Sequence, residues 1–261
     1  MASNQEIIIK RYGDGSREEG RASGERAEYD MEYKYTKRIL DRYIKRDAAV
    51  LEIGCGTGYY GMYLADKCKD YTGIDIVPAN IALLSKKIAE RKLENAHAMV
   101  ADATNLKEFA DGSFDVVLAL GPIYHLPPKE QETVFKESKR VCKQNGVVMF
   151  AYITKLGIYL YHCLKAPEKY PNAQKNQSLL REGIDDTRDQ VYWFHMPEEM
   201  EALAQEHGLA VVDNLGVDFT FIQQNAGEKA AREEVFDRMC ASPFCTAFAN
   251  HAVMVCINRT L

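Results

Sequence analysis

The cysteines of this sequence form no recognisable pattern. The chain has seven cysteines in 261 residues, at positions 55, 68, 142, 163, 240, 245 and 256. Their number is odd and no two of them make a C-x-x-C pair, which weighs against a disulfide framework or a structural zinc site. We interpret them as reduced thiols, most of them serving as small residues of the core.

Long apolar runs and an excess of basic residues are absent as well. No stretch reaches the roughly 18 apolar residues that a membrane-spanning helix needs. The first ten residues, MASNQEIIIK, lack the basic start and apolar stretch of a secretion signal. We therefore expect a cytoplasmic protein with no membrane partner. The formal net charge of −5 favours a partner other than nucleic acid, because nucleic-acid binders usually carry a basic face.

The composition itself is typical of a globular protein. Apolar residues make up 46% of the chain and charged residues 27%, which excludes collagen-like, long coiled-coil and wholly disordered chains. A chain of 261 residues is near the upper limit of one domain and can bury a full core without metal or disulfide support. We expect a single domain without a metal site.

Short apolar runs alternate with helical stretches from residue 49 onward. The runs AVLEI, YTGIDI, HAMVA, FDVVLAL and VVMFAYI predict strands over 49–53, 71–76, 97–101, 114–120 and 147–153. The stretches between them predict helices over 59–68, 79–92 and 129–143. Near-continuous apolar strands separated by helices are typical of a parallel sheet covered on both faces. The sequence therefore predicts an open α/β sheet, which strands over 209–217 and 251–259 extend.

Two segments interrupt this alternation. Residues 1–30 are rich in glycine, serine and charge, so we expect either a solvated arm or a lid over a ligand, ahead of a helix over 29–46. Residues 155–195 are rich in aromatic side chains, and we interpret them as a cap inserted over the sheet. His162, Trp193 and His195 are our candidates for substrate binding in this cap. The alternative is a satellite core under a long loop.

The strongest motif follows the first predicted strand, which runs directly into GCGTG at residues 54–58. A glycine-rich turn between a strand and a helix lets a ligand approach backbone N–H groups at the carboxyl edge of the sheet. The dinucleotide fingerprint G-x-G-x-x-G is not matched, because Gly58 comes one position early and Tyr59 takes the last place. The Gly-Lys-Ser/Thr of a phosphate-binding loop is also missing.

Several motifs in order resemble the class I (Rossmann-like) S-adenosylmethionine-dependent methyltransferases. EIGCGTG (52–58) is similar to their first motif, and GIDIVP (73–78) to their second. ADATNL (101–106) and DGSFDVVLALGPIYHL (111–126) resemble the third and fourth. SKRVCKQNGVVMFAY (138–152) resembles a segment usually seen as R-V-L-K-P-G-G, with Gln144 and Asn145 in place of Pro-Gly. The resemblance implies a three-layer sandwich with a seven-stranded, mostly parallel sheet whose last strand is antiparallel.

The resemblance also implies which residues hold the cofactor S-adenosylmethionine at its methionine end. Backbone groups of the glycine loop would approach the ligand there, in this sequence Gly54, Cys55, Gly56 and Gly58. Glu52 would face the ligand amine, directly or through water, or hold the loop. The backbone of Leu120, at the end of the fourth strand, would contact the same amine.

Adenosine would lie beside the ends of the second and third strands. Asp75, expected at the exposed end of its strand, would accept hydrogen bonds from both ribose hydroxyls. Ile76 would lie against the adenine ring. Asp102 would accept a hydrogen bond from the adenine amino group, with Ala103 alongside.

The loop GPIYHL (121–126) follows the fourth strand, where reacting groups lie in this fold. His125 is the candidate base because imidazole titrates near neutrality, and Tyr124 is a candidate wall for the methyl group. A structural histidine and a core tyrosine are the alternatives. The loop lacks the Asn/Asp-Pro-Pro-Tyr/Phe that is typical of methyltransferases acting on nucleobase or amide nitrogens, which favours a small-molecule acceptor.

We therefore predict one methyltransferase domain over 1–261. Its parts are an N-terminal arm and helix (1–46), a cofactor-binding core (47–154), the cap (155–195) and a C-terminal completion of the sheet (196–261). The predicted reaction is in-line methyl transfer from S-adenosylmethionine to a small molecule, with S-adenosylhomocysteine as product and the attacking atom open among O, N, S and C. The alternatives are a methyltransferase acting on tRNA or protein, a nicotinamide-dependent oxidoreductase, and a non-catalytic S-adenosylmethionine-binding protein.

Overall fold

Seven strands form one sheet in the order β3-β2-β1-β4-β5-β7-β6. The structure is a computed structural model that describes residues 4–13, 19, 30–165, 167–168, 177–184, 192–223 and 229–259. The strands are β1 Ala49–Ile53, β2 Asp70–Asp75, β3 Ala96–Val100, β4 Phe114–Ala119, β5 Cys142–Ile153, β6 Leu209–Asp218 and β7 His251–Asn258. Parts of the predicted arm (14–18 and 20–29) and of the predicted cap (166, 169–176 and 185–191) lie outside the described residues.

The first five strands are parallel, and the last one is reversed. β1 lies between β2 and β4, so that Val50 is opposite both Tyr71 and Val116. β7 is inserted between β5 and β6 and pairs antiparallel with both, with His251 opposite Ile153. The predicted mostly parallel sheet with an antiparallel last strand is therefore confirmed.

Helices cover both faces of this sheet. They are α1 Asn4–Tyr12, α2 Asp30–Tyr43, α3 Gly61–Leu64, α4 Pro78–Glu90, α5 Pro128–Val141, α6 Lys155–Lys165, α7 Pro197–Glu206, α8 Thr220–Gln223 and α9 Lys229–Cys240. Short helical turns are found at Ile123–His125, Ser178–Glu182 and Pro243–Phe248. In the described part of the chain, no helix has both the length and the apolar character to cross a bilayer.

Two apolar layers separate the sheet from its helices. On one face, Leu40 of α2 and Phe236 of α9 pack in the same cluster as Val50 of β1. On the other face, Phe135 of α5 packs with Leu51 of β1, in a cluster that also includes α7. Consecutive residues of β1 thus supply opposite faces of the sheet, and both are fully buried. This arrangement is the predicted three-layer sandwich and explains why the parallel strands are mostly apolar.

Several element boundaries differ from the predictions. The helix expected over 59–68 is limited to Gly61–Leu64, and Asn95 Nδ2 donates hydrogen bonds to the Ala65 and Cys68 carbonyl groups that follow it. α5 ends at Val141 instead of residue 143, because β5 already pairs with β4 at Cys142. Asn145, which stands in place of the glycine of the Pro-Gly pair, adopts φ of 62° within β5.

Both segments that were expected to be irregular contain helices. Asn4–Tyr12 of the arm forms α1, and Lys155–Lys165 of the cap forms α6. α6 packs against the helical turn Pro243–Phe248 and against α8. The tertiary partners of both helices are far away in sequence, so local composition gave no signal for them.

Candidate active site

The glycine loop forms a tight turn between β1 and α3. Gly54 and Gly56 adopt φ of 70° and 55°, in the left-handed region that favours glycine. The N–H groups of Gly54 and Cys55 donate to Ile74 O at 2.8 and 2.9 Å, which holds the loop against the end of β2. A Cβ atom on Gly54 would lie 2.9 Å from Pro122 Cδ, so the loop after β4 packs directly on the glycine loop.

Asp75 supports this loop from the end of β2. Its Oδ2 accepts the N–H of Gly56 at 2.9 Å, and its Oδ1 accepts the N–H of Val77 at 2.8 Å. Only 8% of Asp75 is exposed. The prediction that Asp75 lies at an exposed strand end is therefore wrong, because the glycine loop packs against this residue. Burial raises the pKa of Asp75, whereas the hydrogen bonds from Val77 and Gly56 lower it. Oδ1 also accepts the side-chain amide of Asn80 at 3.4 Å. Each carboxylate oxygen accepts about two hydrogen bonds, so Oδ2 can still accept from a ligand diol.

Glu52 lies near the carboxyl end of β1, as Asp75 lies at the carboxyl end of β2. Tyr71 Oη donates to Glu52 Oε2 at 2.6 Å, and both residues are buried. Burial, with Glu52 beside it, raises the pKa of Tyr71, which therefore stays a protonated donor. A Cβ atom on Gly73 would lie 2.6 Å from Tyr71 Oη, so glycine at this position leaves room for the hydroxyl group. The carboxylate of Glu52 is thus fixed in the wall of a cavity.

Asp102 lies just beyond β3 and contacts the N-terminal helix. Its Oδ1 accepts both the N–H and the hydroxyl of Thr104 at 2.8 Å. Its Oδ2 accepts the side-chain amide of Gln5 in α1 at 2.6 Å. The second oxygen of Asp102 therefore already receives an N–H₂ donor at the edge of the cavity.

One cavity brings these carboxylates together at the carboxyl edge of β1, β2 and β3. Most of the predicted cofactor and catalytic residues line it, namely Glu52, Gly54, Cys55, Gly56, Asp75, Ile76, Asp102, Ala103, Leu120, Tyr124 and His125. Gly58 is not in this lining. Gly58 has φ of 88°, and a Cβ atom added to it would lie 2.6 Å from Leu84 Cδ1. Glycine at this position therefore allows the turn by which the loop packs on α4.

The cavity also contains residues that the sequence did not identify. These are chiefly Gln5, Ile8 and Tyr12 of α1, Tyr59 and Tyr60 after the glycine loop, and Asn80 at the start of α4. Tyr59 and Tyr60 follow GCGTG directly, which was a usable signal. The residues of α1 could not be identified, because Gln5 and Tyr12 contact Asp102 and His125, which lie 97 and 113 positions further along the chain.

One end of the cavity is aromatic. Tyr124 and His125 lie with ring centroids 4.6 Å apart. Tyr12 Oη is 3.1 Å from His125 Nε2, so α1 reaches the predicted base. Tyr192 of the cap approaches from another side, with centroids 5.0 Å from His125 and 6.4 Å from Tyr124. This aromatic end is where an apolar acceptor would be shielded from water.

The predicted cap residues are placed differently. Among the described residues, the cavity lining includes neither His162, Trp193 nor His195. The reason is backbone pairing: Trp193 N–H donates to Tyr124 O at 3.1 Å, and His195 N–H donates to Ile153 O at 3.0 Å. His162 is buried in α6.

A satellite core forms beneath the cap, which agrees with the alternative interpretation of its aromatic residues. Its buried members are Tyr124, Ile153, Ile158, Leu179 and Phe194. Because Tyr124 belongs both to this cluster and to the cavity lining, the cap supports the wall of the cavity.

His195 is held in a polar site away from the cavity. The buried Lys155 forms an ion pair with Glu199 at 2.6 Å, and His195 Nδ1 lies 3.9 Å from the same carboxylate. Burial lowers the pKa of His195 to about 4, helped by Lys155 and opposed by Glu199. At neutral pH this imidazole is therefore uncharged and serves the packing of the cap against α7.

The geometry suits a ligand with an amine, a diol and an amino-substituted ring. Glu52, Asp75 and Asp102 present carboxylates from successive strands around one cavity. Asp102 Oδ2 already accepts a hydrogen bond from the side-chain N–H₂ group of Gln5, which also lines the cavity. These features match the three polar ends of S-adenosylmethionine. Within the described residues, no three His, Cys, Asp or Glu side chains are grouped to hold a metal ion.

Comparison with known proteins gives an independent result. Residues 50–146 match the model of the family described as "Methyltransferase domain". The chain is 28% identical over 182 residues to the ubiquinone biosynthesis O-methyltransferase of Colwellia psychrerythraea, covering 69% of this chain and 68% of that protein. It is 29% identical over 171 residues to the enzyme of the same name from Pseudomonas aeruginosa, covering 65% and 68%.

A solved structure supports the same fold. The SAM-dependent methyltransferase from Methanosarcina mazei superposes with a TM-score of 0.61 over 85% of this chain and 98% of that one. The sequence identity is 20%, so this likeness concerns the fold alone.

Proposed function

We propose that the chain, an S-adenosylmethionine-dependent methyltransferase with the class I fold, methylates a hydroxyl oxygen of a small, partly apolar molecule. The observation that carries the proposal is the position of the aromatic end beside the three carboxylates. Tyr12, Tyr124 and His125 line this end, and Tyr192 packs against the rings of Tyr124 and His125. The choice of oxygen is supported by the names of the O-methyltransferase relatives.

In this proposal the carboxylates hold the cofactor. Asp75 binds the ribose diol, and Asp102 binds the adenine amino group after exchanging its bond with Gln5. Glu52, held by Tyr71, faces the amine of the methionine part. Ile76 and Ala103 supply apolar contacts to the adenine. The bound cofactor supplies an electrophilic methyl group on a sulfonium, so the protein has to position the acceptor, exclude water and accept a proton.

The rival acceptor classes have less support. The loop after β4 reads Gly121-Pro122-Ile123-Tyr124 and lacks the amide or carboxylate typical of nucleobase and amide methylation. A net charge of −5 gives no electrostatic attraction to tRNA. A nicotinamide reaction is disfavoured by the missing third glycine of the dinucleotide fingerprint.

A cytoplasmic location is part of the proposal. Its support is the odd number of cysteines, of which Cys55, Cys142 and Cys256 are buried as small core residues. Free thiols of this kind are ordinary in a reducing compartment.

The test is transfer of labelled methyl from S-adenosylmethionine to four acceptor pools. These are an alkyl-substituted catechol, a primary amine, an alkyl thiol and total tRNA. We expect label in the catechol alone, and loss of that label in the variant Asp75→Ala. Label confined to tRNA or to the amine would overturn the proposal, and so would tight binding of NAD without binding of S-adenosylmethionine in calorimetry.

A further inference from the structure

We propose that Asn80 binds the cofactor ribose together with Asp75: the carboxylate accepts a hydrogen bond from one ribose hydroxyl, and the amide oxygen of Asn80 accepts one from the other. The inference rests on the proposed place of the ribose beside Asp75. It differs from the sequence-based expectation that Asp75 accepts from both hydroxyls. The role of Asn80 is cofactor binding and the selection of a ribose that carries both hydroxyls.

Asn80 lies in the first turn of α4, close to the end of β2. α4 begins at Pro78, and β2 ends at Asp75. The N–H of Asn80 donates to Val77 O at 3.1 Å, which holds the backbone of this turn. Asn80 and Asp75 both line the cavity. The short connection between β2 and α4 therefore brings the two side chains together at the place proposed for the ribose.

The protein itself uses most of the hydrogen-bonding capacity of Asp75. Oδ1 accepts the N–H of Val77 at 2.8 Å and the side-chain amide of Asn80 at 3.4 Å. Oδ2 accepts the N–H of Gly56 at 2.9 Å. Since each carboxylate oxygen accepts about two hydrogen bonds, Oδ2 can take one more and Oδ1 is full. A ribose diol brings two donors, so its second hydroxyl needs another acceptor.

The amide oxygen of Asn80 is such an acceptor. The N–H₂ group of this side chain contacts Asp75 Oδ1, and the opposite orientation would place two acceptors against each other. Within the described part of the chain, no group donates to Asn80 Oδ1, and the residue is only 2% exposed. A buried acceptor without a partner costs free energy. A hydroxyl of the ligand would remove that cost.

Two buried acceptors side by side make the site selective for an intact diol. Neither the carboxylate of Asp75 nor the amide oxygen of Asn80 can donate, so each needs a donor from the ligand. An analogue that lacks one hydroxyl leaves one of them unpaired, and sites built for a hydroxyl reject such analogues strongly. The loss should be larger at Asp75, because a hydrogen bond to a charged group contributes more than one to a neutral group.

The first test is a set of binding measurements that involves no methyl transfer. Calorimetry gives the affinities of S-adenosylhomocysteine, its 2′-deoxy analogue and its 3′-deoxy analogue for wild type, Asp75→Ala and Asn80→Leu. In wild type both deletions should weaken binding. We expect about tenfold or more for the hydroxyl bound by Asp75 and about threefold to tenfold for the one bound by Asn80.

Each variant should become insensitive to a different hydroxyl. Asn80→Leu removes the amide with little change in side-chain volume, and it should bind S-adenosylhomocysteine about threefold to tenfold more weakly than wild type. It should bind one of the two deoxy analogues as well as it binds S-adenosylhomocysteine. Asp75→Ala should show the same insensitivity towards the other analogue. Asn80→Ala repeats the measurement with a smaller side chain.

Asn95→Leu is the matched control for the loss of a side-chain amide. Asn95 donates to the carbonyl groups of Ala65 and Cys68, and none of these three residues belongs to the described cavity lining. We expect this control to lower the melting temperature and to leave all three affinities unchanged. Ligand-free Asn80→Leu should melt closer to wild type, because it loses one 3.4 Å hydrogen bond together with an unpaired oxygen.

Four results would overturn the inference. Equal affinity of wild type for S-adenosylhomocysteine and for either deoxy analogue would mean that one hydroxyl has no acceptor, and this result needs no variant. Insensitivity of Asp75→Ala and Asn80→Leu to the same hydroxyl would mean that Asn80 acts only by holding Asp75. Full sensitivity of Asn80→Leu to both hydroxyls would remove the amide from the site. Ligand-free Asn80→Leu that melts as low as Asn95→Leu would identify a structural residue.

Failure of the proposed function is recognisable separately. Methyl transfer to an amine or a thiol instead of the catechol would overturn the proposed hydroxyl acceptor. The affinities for S-adenosylhomocysteine and its deoxy analogues do not depend on the acceptor, so they would keep the pattern expected here.

Discussion

The side-chain amide of Gln5 donates a 2.6 Å hydrogen bond to Asp102 Oδ2 across the mouth of the cavity. Asp102 is the carboxylate to which we assign the adenine amino group, so α1 supplies an N–H₂ donor of its own at that position. Asn4 reinforces the contact by donating to His125 O at 2.7 Å. The same helix therefore touches both the adenine and the acceptor ends of the site.

We expect Gln5→Ala to tighten the binding of S-adenosylhomocysteine. The bond between Gln5 and Asp102 has to be exchanged when adenine binds, and a hydrogen bond to a charged group contributes about 1.5–3 kcal/mol. Because water replaces part of that interaction, a gain of about threefold in affinity, roughly 0.7 kcal/mol, is expected. Calorimetry measures it, with Asn4→Ala as the control that leaves Asp102 bonded. Weaker binding in Gln5→Ala would instead identify α1 as a clamp on the bound cofactor.

Asp75→Ala should lower both cofactor affinity and stability. It removes the proposed ribose acceptor, worth about 1.5–3 kcal/mol of binding free energy, and it leaves the N–H groups of Gly56 and Val77 without their partner. The matched control is Asp115→Ala, because Asp115 also accepts a backbone N–H, that of Ala49 at 2.9 Å, but at the opposite edge of the sheet. We expect the control to lower the melting temperature without changing cofactor affinity. Equal affinities of Asp75→Ala and wild type would remove Asp75 from the site.

Gly73→Ala should destabilise the fold through the buried hydroxyl of Tyr71. The added Cβ atom would lie 2.6 Å from Tyr71 Oη and 3.0 Å from Cys55 Sγ. Overpacking of this kind reduces the free energy of unfolding by about 1–3 kcal/mol. Urea titration of the two single variants and of Gly73→Ala with Tyr71→Phe gives the coupling. We expect the alanine to be less damaging in the phenylalanine background, and an additive double variant would argue against the steric explanation.

Stability should fall as the pH is lowered from about 6.5 to about 4, in part because of His195. Burial lowers the pKa of this imidazole to about 4 in the folded protein, whereas the unfolded chain has the ordinary value near 6.5. Between those values the unfolded state binds more protons, so acid favours unfolding by up to about 3 kcal/mol. Urea unfolding across this pH range should show a shallower decline for His195→Asn than for wild type. The variant His97→Asn, at an exposed position, should decline like wild type.

The fold was largely predictable because its signals are local. β1 is buried on both faces, so its run AVLEI is apolar at nearly every position. The glycine loop was recognisable because φ values of 70° and 55° at Gly54 and Gly56 favour glycine. The carboxylates Asp75 and Asp102 could be placed because a parallel strand always delivers its end to the same edge.

The acceptor side was less predictable for a physical reason. Gln5 and Tyr12 reach the cavity only through tertiary contacts of α1, and the arm that carries them is mostly polar and charged. Trp193 and His195 have the composition of a binding site, but pairing of their backbone with Tyr124 and Ile153 positions them outside the cavity lining.

The insertion of β7 between β5 and β6 has a consequence for synthesis on the ribosome. In the described sheet β6 pairs with β7 alone. After translation of β6, its backbone N–H and C=O groups therefore stay unpaired until β7 is synthesised about 30 residues later. During that interval β5 also presents an open edge, and open edges invite pairing with other chains. The cofactor half, from β1 to β5, can meanwhile assemble without them. Nascent chains stalled before β7 should therefore bind S-adenosylhomocysteine yet aggregate on release.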